Sequence, residues 1–405
     1  MSETLLNHQD ISATAPAPLG VAGWLCRVLI VGMAWLILGM AFMPAGVSYN
    51  PGKLYQRLLG LTLYLPAFVL LLMQPRRIVP FWRQSLMPWV LLLLAWASVT
   101  LFWGHAGRKE DVLGHNVSIV LFLFAWQQAL GGQQDWTKRL LVICGLGMAV
   151  AASIAIVLDL INPVADARLE GFGVMANANL AAGGMGAALM WLWPWRADDK
   201  RWMALKWVAI AVLAFGVLLT FARSAMAAMF LAVIAMTLCT GGRRAWWFAG
   251  ALAVLALVGM VAGADLLLAR GLSLRPEIFA RATTLFLEHP WLGVGQGTPI
   301  QLTAGHETLT HAHNMFSQLA IELGLPGLLL WTGIWLAVGW KGWTHRHDPL
   351  GRVVLGLWLF GTVLVQFDLP YLLASPRPTW LFTWLPLALC LSLEQRSLTP
   401  SANPA

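Results

Sequence analysis

An all-α integral membrane protein of about twelve transmembrane helices, with one large extracytoplasmic loop that holds short helices, is the fold this sequence predicts. Three observations lead there. The 405 residues are 59% hydrophobic and only 11% charged, where a soluble domain carries about a quarter of its residues charged. Apolar stretches near the ~20 residues that a bilayer-spanning helix needs recur from Trp24 to Leu393. The basic residues gather in alternate joints between those stretches, as they do in chains oriented by the positive-inside rule.

Taken in order, residues 1–23 contain Glu3, Asp10, Pro16 and Pro18 but no Lys or Arg. They lack the basic start of a secretory signal and read as a cytoplasmic tail. Spans follow at roughly 24–43, 54–73, 86–103, 112–130, 138–161, 173–195, 202–219, 224–240, 245–268, 325–340, 350–367 and 379–395. Arg76, Arg77 and Arg83 lie in the joint after the second span, and Lys138/Arg139, Arg196/Lys200/Arg201, Arg243/Arg244 and Lys341/Arg346/Arg352 occupy every second joint after it. These joints and both termini are assigned to the cytoplasm. The opposite joints mix cations with acids, as in Arg108-Lys109-Glu110-Asp111 and Asp166-Ala167-Arg168-Leu169-Glu170.

Residues 1–405 then form one polytopic domain, in which 269–324 is the long extracytoplasmic connection. Asn177 and Asn179, followed by Gly183, Gly184 and Gly186, read as packing amides in a small-residue helix interface. The four cysteines, each inside an apolar run, show neither metal-ligand nor disulfide spacing. The formal charge of +8 is scattered through short joints rather than gathered in an arm or stripe, which argues for membrane lipid and against nucleic acid as a partner.

The long connection holds most of the candidate chemistry. Arg275-Pro276-Glu277 places Pro at the first helical position, and Ile278, Phe279, Ala282, Leu285 and Phe286 then line one face before Pro290 stops the helix. Glu277 stands four residues before Arg281, the favourable spacing for a helix ion pair. Gly293-Val294-Gly295-Gln296-Gly297 lacks the context of a nucleotide loop and reads as a turn. Next come His311-Ala312-His313-Asn314, nine residues, and Gly324-Leu325-Pro326-Gly327. Asn314 is a suitable N-cap for a short helix ending at Leu323, Gly324 can close it, and Pro326 suits the first turn of the next helix. His313 thereby sits at a helix N-terminus, where free N–H groups favour an anion such as a phosphate.

This pattern resembles the O-antigen ligase and polymerase family of bacterial envelope glycosyltransferases, marked by His-Asn, nine residues and Gly-x-x-Gly at the end of a large periplasmic loop. Two further features fit. An arginine follows a helix end in Thr220-Phe221-Ala222-Arg223-Ser224, where Ala222 departs from the family's usual serine. Arg275 and Arg281 precede Pro290-Trp291-Leu292-Gly293-Val294-Gly295. The resemblance implies a GT-C-like glycosyltransferase of the bacterial inner membrane with its site facing the periplasm. It implies an undecaprenyl-pyrophosphate-linked polysaccharide as donor, a sugar hydroxyl of the lipid A-core as acceptor, and neither nucleotide nor metal as cofactor. Carried over residue by residue, His313, Arg275 and Arg223 are the catalytic candidates, and Arg223, Arg275, Arg281 and Asn314 the donor-pyrophosphate ligands.

The residues suit that chemistry. Arginine offers a planar fork for phosphate oxygens, and histidine is the side chain whose titration suits a general base near neutrality. His311 and Asp368 are candidates for orienting the histidine or holding the acceptor. The plain alternatives are a cap or a partner for Arg377 in the case of Asp368, and a different direction of projection for His311. A single inverting displacement is the economical mechanism, since no paired carboxylates suggest a covalent intermediate. A polymerase or a protein O-oligosaccharyltransferase would use the same donor half-site. A secondary transporter fits less well, because no internal repeat is evident and the candidate charges gather at one face.

Overall fold

The computed structural model describes residues 20–43, 52–162, 168–196, 199–262, 274–367 and 369–398. Among these, helices occupy each of the expected apolar stretches. They are α1 Val21–Phe42, α2 Lys53–Met73, the short α3 Pro75–Trp82, α4 Met87–Thr100, α5 Lys109–Leu130, α6 Gln134–Ile161, α7 Ala178–Leu192, α8 Lys200–Leu219, α9 Arg223–Leu238 and α10 Gly242–Ala262. After the long connection come α12 Met315–Thr344, α13 Pro349–Leu364 and α14 Trp384–Leu398, while α11 Arg275–Glu288 lies within that connection.

Among the described residues six helices, α1, α2, α5, α6, α8 and α12, are long and apolar enough to cross a membrane. The bent pair α3–α4, whose axes differ by 103°, makes a possible seventh. Pro88 at the start of α4 lacks the N–H that would continue a helix from α3. α7, α9 and α13 are apolar but shorter, and 15 or 16 residues reach only about 24 Å against a hydrocarbon core of about 30 Å. Packing compensates in α7, where nearly every side chain is buried.

α7 also starts later than its sequence suggests. Residues 173–175 form a separate 3₁₀ turn, and Asn177 caps α7 through the amides of Asn179 and Leu180. The two asparagines are therefore not packing amides: Asn177 is a cap, and Asn179 accepts from Arg168 at 2.9 Å. The glycines behind them do pack. A Cβ on Gly186 would strike the Phe360 ring of α13, and one on Gly184 would meet Met175.

The all-α expectation needs one correction, a two-stranded antiparallel hairpin of β1 Leu302–Ala304 and β2 Glu307–Leu309. Gly305 takes φ 58° at the first position of its two-residue turn, as a type II′ hairpin requires. The hairpin and α11 close over a small apolar core of Ile278, Ala282, Ile300, Leu302, Ala304, Ala312 and Ile321. Glu277 accepts the Gly305 amide at 3.1 Å, and among the described residues no Glu277–Arg281 ion pair forms.

The glycine turn bolts this loop to the bundle. Val294 and Gly295 donate to the carbonyls of Ile321 and Glu322, both at 2.9 Å, and Leu325 donates to Pro290 at 2.8 Å. These bonds need a break in α12, which Gly324 supplies at φ 65° and ψ −168°. A Cβ on Gly324 would run into the Trp291 carbonyl, and one on Gly293 into the Glu322 carbonyl. Gly324→Ala is therefore expected to cost about 1–3 kcal/mol in backbone strain alone, with the clash added. Thermal unfolding of the purified protein would read this as a clear drop in midpoint.

Candidate active site

The site is built outward from the N-terminus of α12. Asn314 stands in extended conformation and its side-chain oxygen accepts the amides of Phe316 and Ser317 at 2.9 and 3.0 Å, which satisfies two donors that the helix leaves open. Its amide nitrogen donates to the backbone and side-chain oxygens of Gln366, at 3.1 and 2.8 Å. With Met315 donating to the Val365 carbonyl at 2.9 Å, the start of α12 is tied to the end of α13.

His313, immediately before this cap, has φ 52°. That conformation is rare for a residue with a Cβ and persists where surrounding structure enforces it. Its half-buried ring lies 4.1 Å from the ring of His311, centroid to centroid. The left-handed turn at His313 brings the two imidazoles together, so His311 does not project away from its neighbour.

The ring of His311 is in turn 5.6 Å from that of Tyr371, and the Arg377 guanidinium lies 5.5 Å from the Tyr371 ring centre. Tyr371 and Arg377 belong to the joint between α13 and α14. Burial pushes the Tyr371 phenol up from its ordinary value, the field of Glu322 adds to this, and Arg377 and a bond with Thr310 oppose it. The phenol therefore stays protonated at neutral pH. Burial also lowers the Arg377 guanidinium, with Tyr371 opposing, yet an arginine remains charged in this range. Tyr371 had no part in the sequence reading, where Arg377 entered just as a counter-ion for Asp368. A cation enclosed by Pro376 and Pro378 between two apolar runs was the signal available.

Arg275 opens α11 and sets its guanidinium 5.6 Å from the Phe367 ring, just past α13. Arg223 is the first residue of α9, after a turn in which Phe221 has φ 48°. The Thr220 carbonyl before it accepts from Arg168 at 3.0 Å. Met236 of α9 faces Gly356 of α13, and Cys239 just beyond α9 lies in the field of Arg352. The two helices are thus antiparallel, and Arg223 stands at the same end as Gln366 and Phe367.

Arg281, the remaining arginine candidate, lies on α11 with its side chain exposed. Asp368 lies outside the described residues. His311, His313, Asn314, Arg275 and Arg223 thus share one end of the bundle, joined there by Gln366, Tyr371 and Arg377. Among the described residues no group of three or more His, Cys, Asp or Glu side chains gathers as a metal site would require. The amides of Met315, Phe316, Ser317 and Gln318 all donate within the protein, so the helix start has no open N–H for a ligand; what the cluster offers is two imidazoles for proton transfer and several guanidiniums for anionic oxygens.

Comparison with known proteins bears on what such a cluster does. Residues 208–332 match the family model described as O-antigen ligase, a stretch running from within α8 to within α12. The chain is 27% identical over 379 residues to an O-antigen ligase of Pseudomonas aeruginosa, an alignment spanning 92% of this chain and 89% of that protein. The His-Asn motif thus lies inside the stretch that matches the O-antigen ligase model, and the similarity to the Pseudomonas protein extends beyond that stretch over most of the chain.

Proposed function

We propose that this chain is a glycosyltransferase of the ligase type, moving a finished polysaccharide from undecaprenyl pyrophosphate to a sugar hydroxyl of the lipid A-core. The observation that carries the proposal is His313, held in left-handed conformation against His311 and directly before the Asn314-capped end of α12. In this reading a proton acceptor stands at the end of the bundle that carries Arg275 and Arg223, which supplies the two halves of the reaction.

In the proposed step the acceptor hydroxyl attacks the anomeric carbon of the sugar joined to the carrier. A new C–O bond forms as the bond to the pyrophosphate oxygen breaks, inverting the centre. His313 takes the hydroxyl proton, and undecaprenyl pyrophosphate leaves with the bonding pair. Its charge is met by Arg275 and Arg223, with Asn314 holding the start of α12 in place and Arg281 at the outer edge. His311 and Asp368 serve the acceptor side. No metal or nucleotide takes part.

The same reading extends to the membrane. Twelve helices span the inner membrane, with α7, α9 and α13 crossing as short segments because neighbouring helices enclose them. Residues 1–405 are one polytopic domain, 269–324 is its periplasmic loop, and both termini are cytoplasmic. The concentration of Arg and Lys in alternate joints supports this orientation.

Purified protein reconstituted with undecaprenyl-pyrophosphate-linked polysaccharide and lipid A-core, in EDTA and without nucleotide, tests the proposal. The expected product is a high-mass ladder on the core lipid. A ladder growing on the carrier lipid would mean a polymerase, and activity lost to EDTA and restored by a divalent ion would overturn metal independence.

A further inference from the structure

Two side chains on the first turns of α12 do not belong to the candidate set, yet Gln318 reaches the histidine segment and Glu322 reaches Gln318. The Gln318 side-chain oxygen accepts the backbone amide of Ala312, the residue between the two histidines, at 2.9 Å. Its side-chain nitrogen donates to Glu322 at 2.7 Å, and the second carboxylate oxygen of Glu322 receives a longer bond of 3.4 Å from the Gly297 amide. Gln318 is only 4% exposed, so solvent does not substitute for these partners.

The order of donors and acceptors has a direction. A primary amide can present either its oxygen or its nitrogen to a neighbour, and the network around it decides which. Glu322 accepts at both oxygens, so it draws the NH₂ of Gln318 to itself and leaves the carbonyl oxygen facing Ala312. Were the amide reversed, its NH₂ would oppose the Ala312 N–H and push the segment away. The backbone here is already strained at His313, where φ is 52°, and such a conformation needs restraint from both sides. Asn314 holds one side through Gln366; the Gln318–Glu322 chain holds the other and ties it to the glycine turn.

We infer that Gln318 and Glu322 are positioning residues for the reaction, acting in series to hold the His311–His313 segment at its working distance from the bound substrates. Neither touches the reacting atoms. The inference rests on the ligase reading for its kinetic consequence but not for its structural one. A displacement of about 1 Å in a reacting group can cost about 100-fold in rate, so the loss appears in turnover rather than in donor binding.

The test uses the full-length protein in the reconstituted assay with Gln318→Leu, Glu322→Leu, the double variant and the conservative Glu322→Gln. Both leucine variants are expected to lower kcat by about 10–100-fold, with donor KM within about twofold of wild type. Glu322→Gln keeps an acceptor for Gln318 but sets its NH₂ against the Gly297 amide, and is expected to fall between wild type and Glu322→Leu. Residues acting in series are not additive, so the double variant should be no worse than the weaker single one.

Wild-type turnover in Gln318→Leu, multiplying losses in the double variant, or Glu322→Gln as impaired as Glu322→Leu would each overturn the inference. A second readout is independent of transfer. The rate at which diethylpyrocarbonate modifies His311 and His313, followed by mass spectrometry, should rise at least about threefold in Gln318→Leu at unchanged melting temperature, because the freed segment loses its hold. An unchanged modification rate overturns the chain of restraint, whereas a wild type that transfers nothing while the modification rate rises would overturn only the ligase reading.

Discussion

A His313→Ala protein is expected to fold and to lose the proposed transfer to the lipid A-core by about 100-fold or more, the usual contribution of a general base being 10²–10⁴. Its side chain is half-buried and at the surface of the site rather than in the core, so truncation opens no large cavity. The backbone is the larger concern, since φ of 52° is less favourable for alanine than for histidine. His313→Gly answers it, because glycine adopts that conformation without strain. The glycine variant should melt at or above the wild-type temperature and be as inactive as the alanine variant. Product on the core lipid, resolved by gel, reads activity, and full activity in either variant would remove the histidine from the chemistry. His311→Ala is expected to be impaired less, as the ring beside the proposed base.

The second large effect is expected at Arg275. Arg275→Ala should reduce kcat by about 10²–10³, the range seen when one donor to a developing oxyanion is removed, and should raise donor KM as well. Arg275→Lys should remain strongly impaired. A lysine retains the charge and some attraction to the Phe367 face, but its ammonium cannot span two phosphate oxygens as the planar fork does. Initial rates across a donor series measure both parameters. Wild-type rates in the lysine variant would mean that Arg275 acts by charge attraction alone. A parallel fall in melting temperature would assign it to anchoring α11 against the end of α13.

Much of this architecture is local in origin and for that reason legible. The apolar runs that become α1, α2, α5, α6, α8 and α12 are recognisable because a helix satisfies its own backbone within the segment, so length and hydrophobicity suffice to mark it. Asn314 as a cap, Gly324 as the break and Pro326 just beyond it depend on neighbours within a turn or two, and each stands where such residues are expected. Even the glycine string 293–297 was readable as a turn. Its role in holding Ile321 and Glu322 was not.

By itself, then, the sequence determined a chain of apolar helices with a His-Asn helix start and three separate arginines ahead of it. The tertiary structure alone decided the rest. It paired the rings of His311 and a left-handed His313, and brought Tyr371, with Arg377 on its ring, from about 60 residues downstream against His311. It added a β-hairpin to the loop, turned Glu277 from Arg281 to the Gly305 amide, and made Asn177 a cap. The physical reason is common to all of these. Helix propensity and capping are settled by residues a few positions apart, whereas the direction of a side chain and the choice among its hydrogen-bond partners are settled by which distant backbone the packed bundle places within about 3 Å.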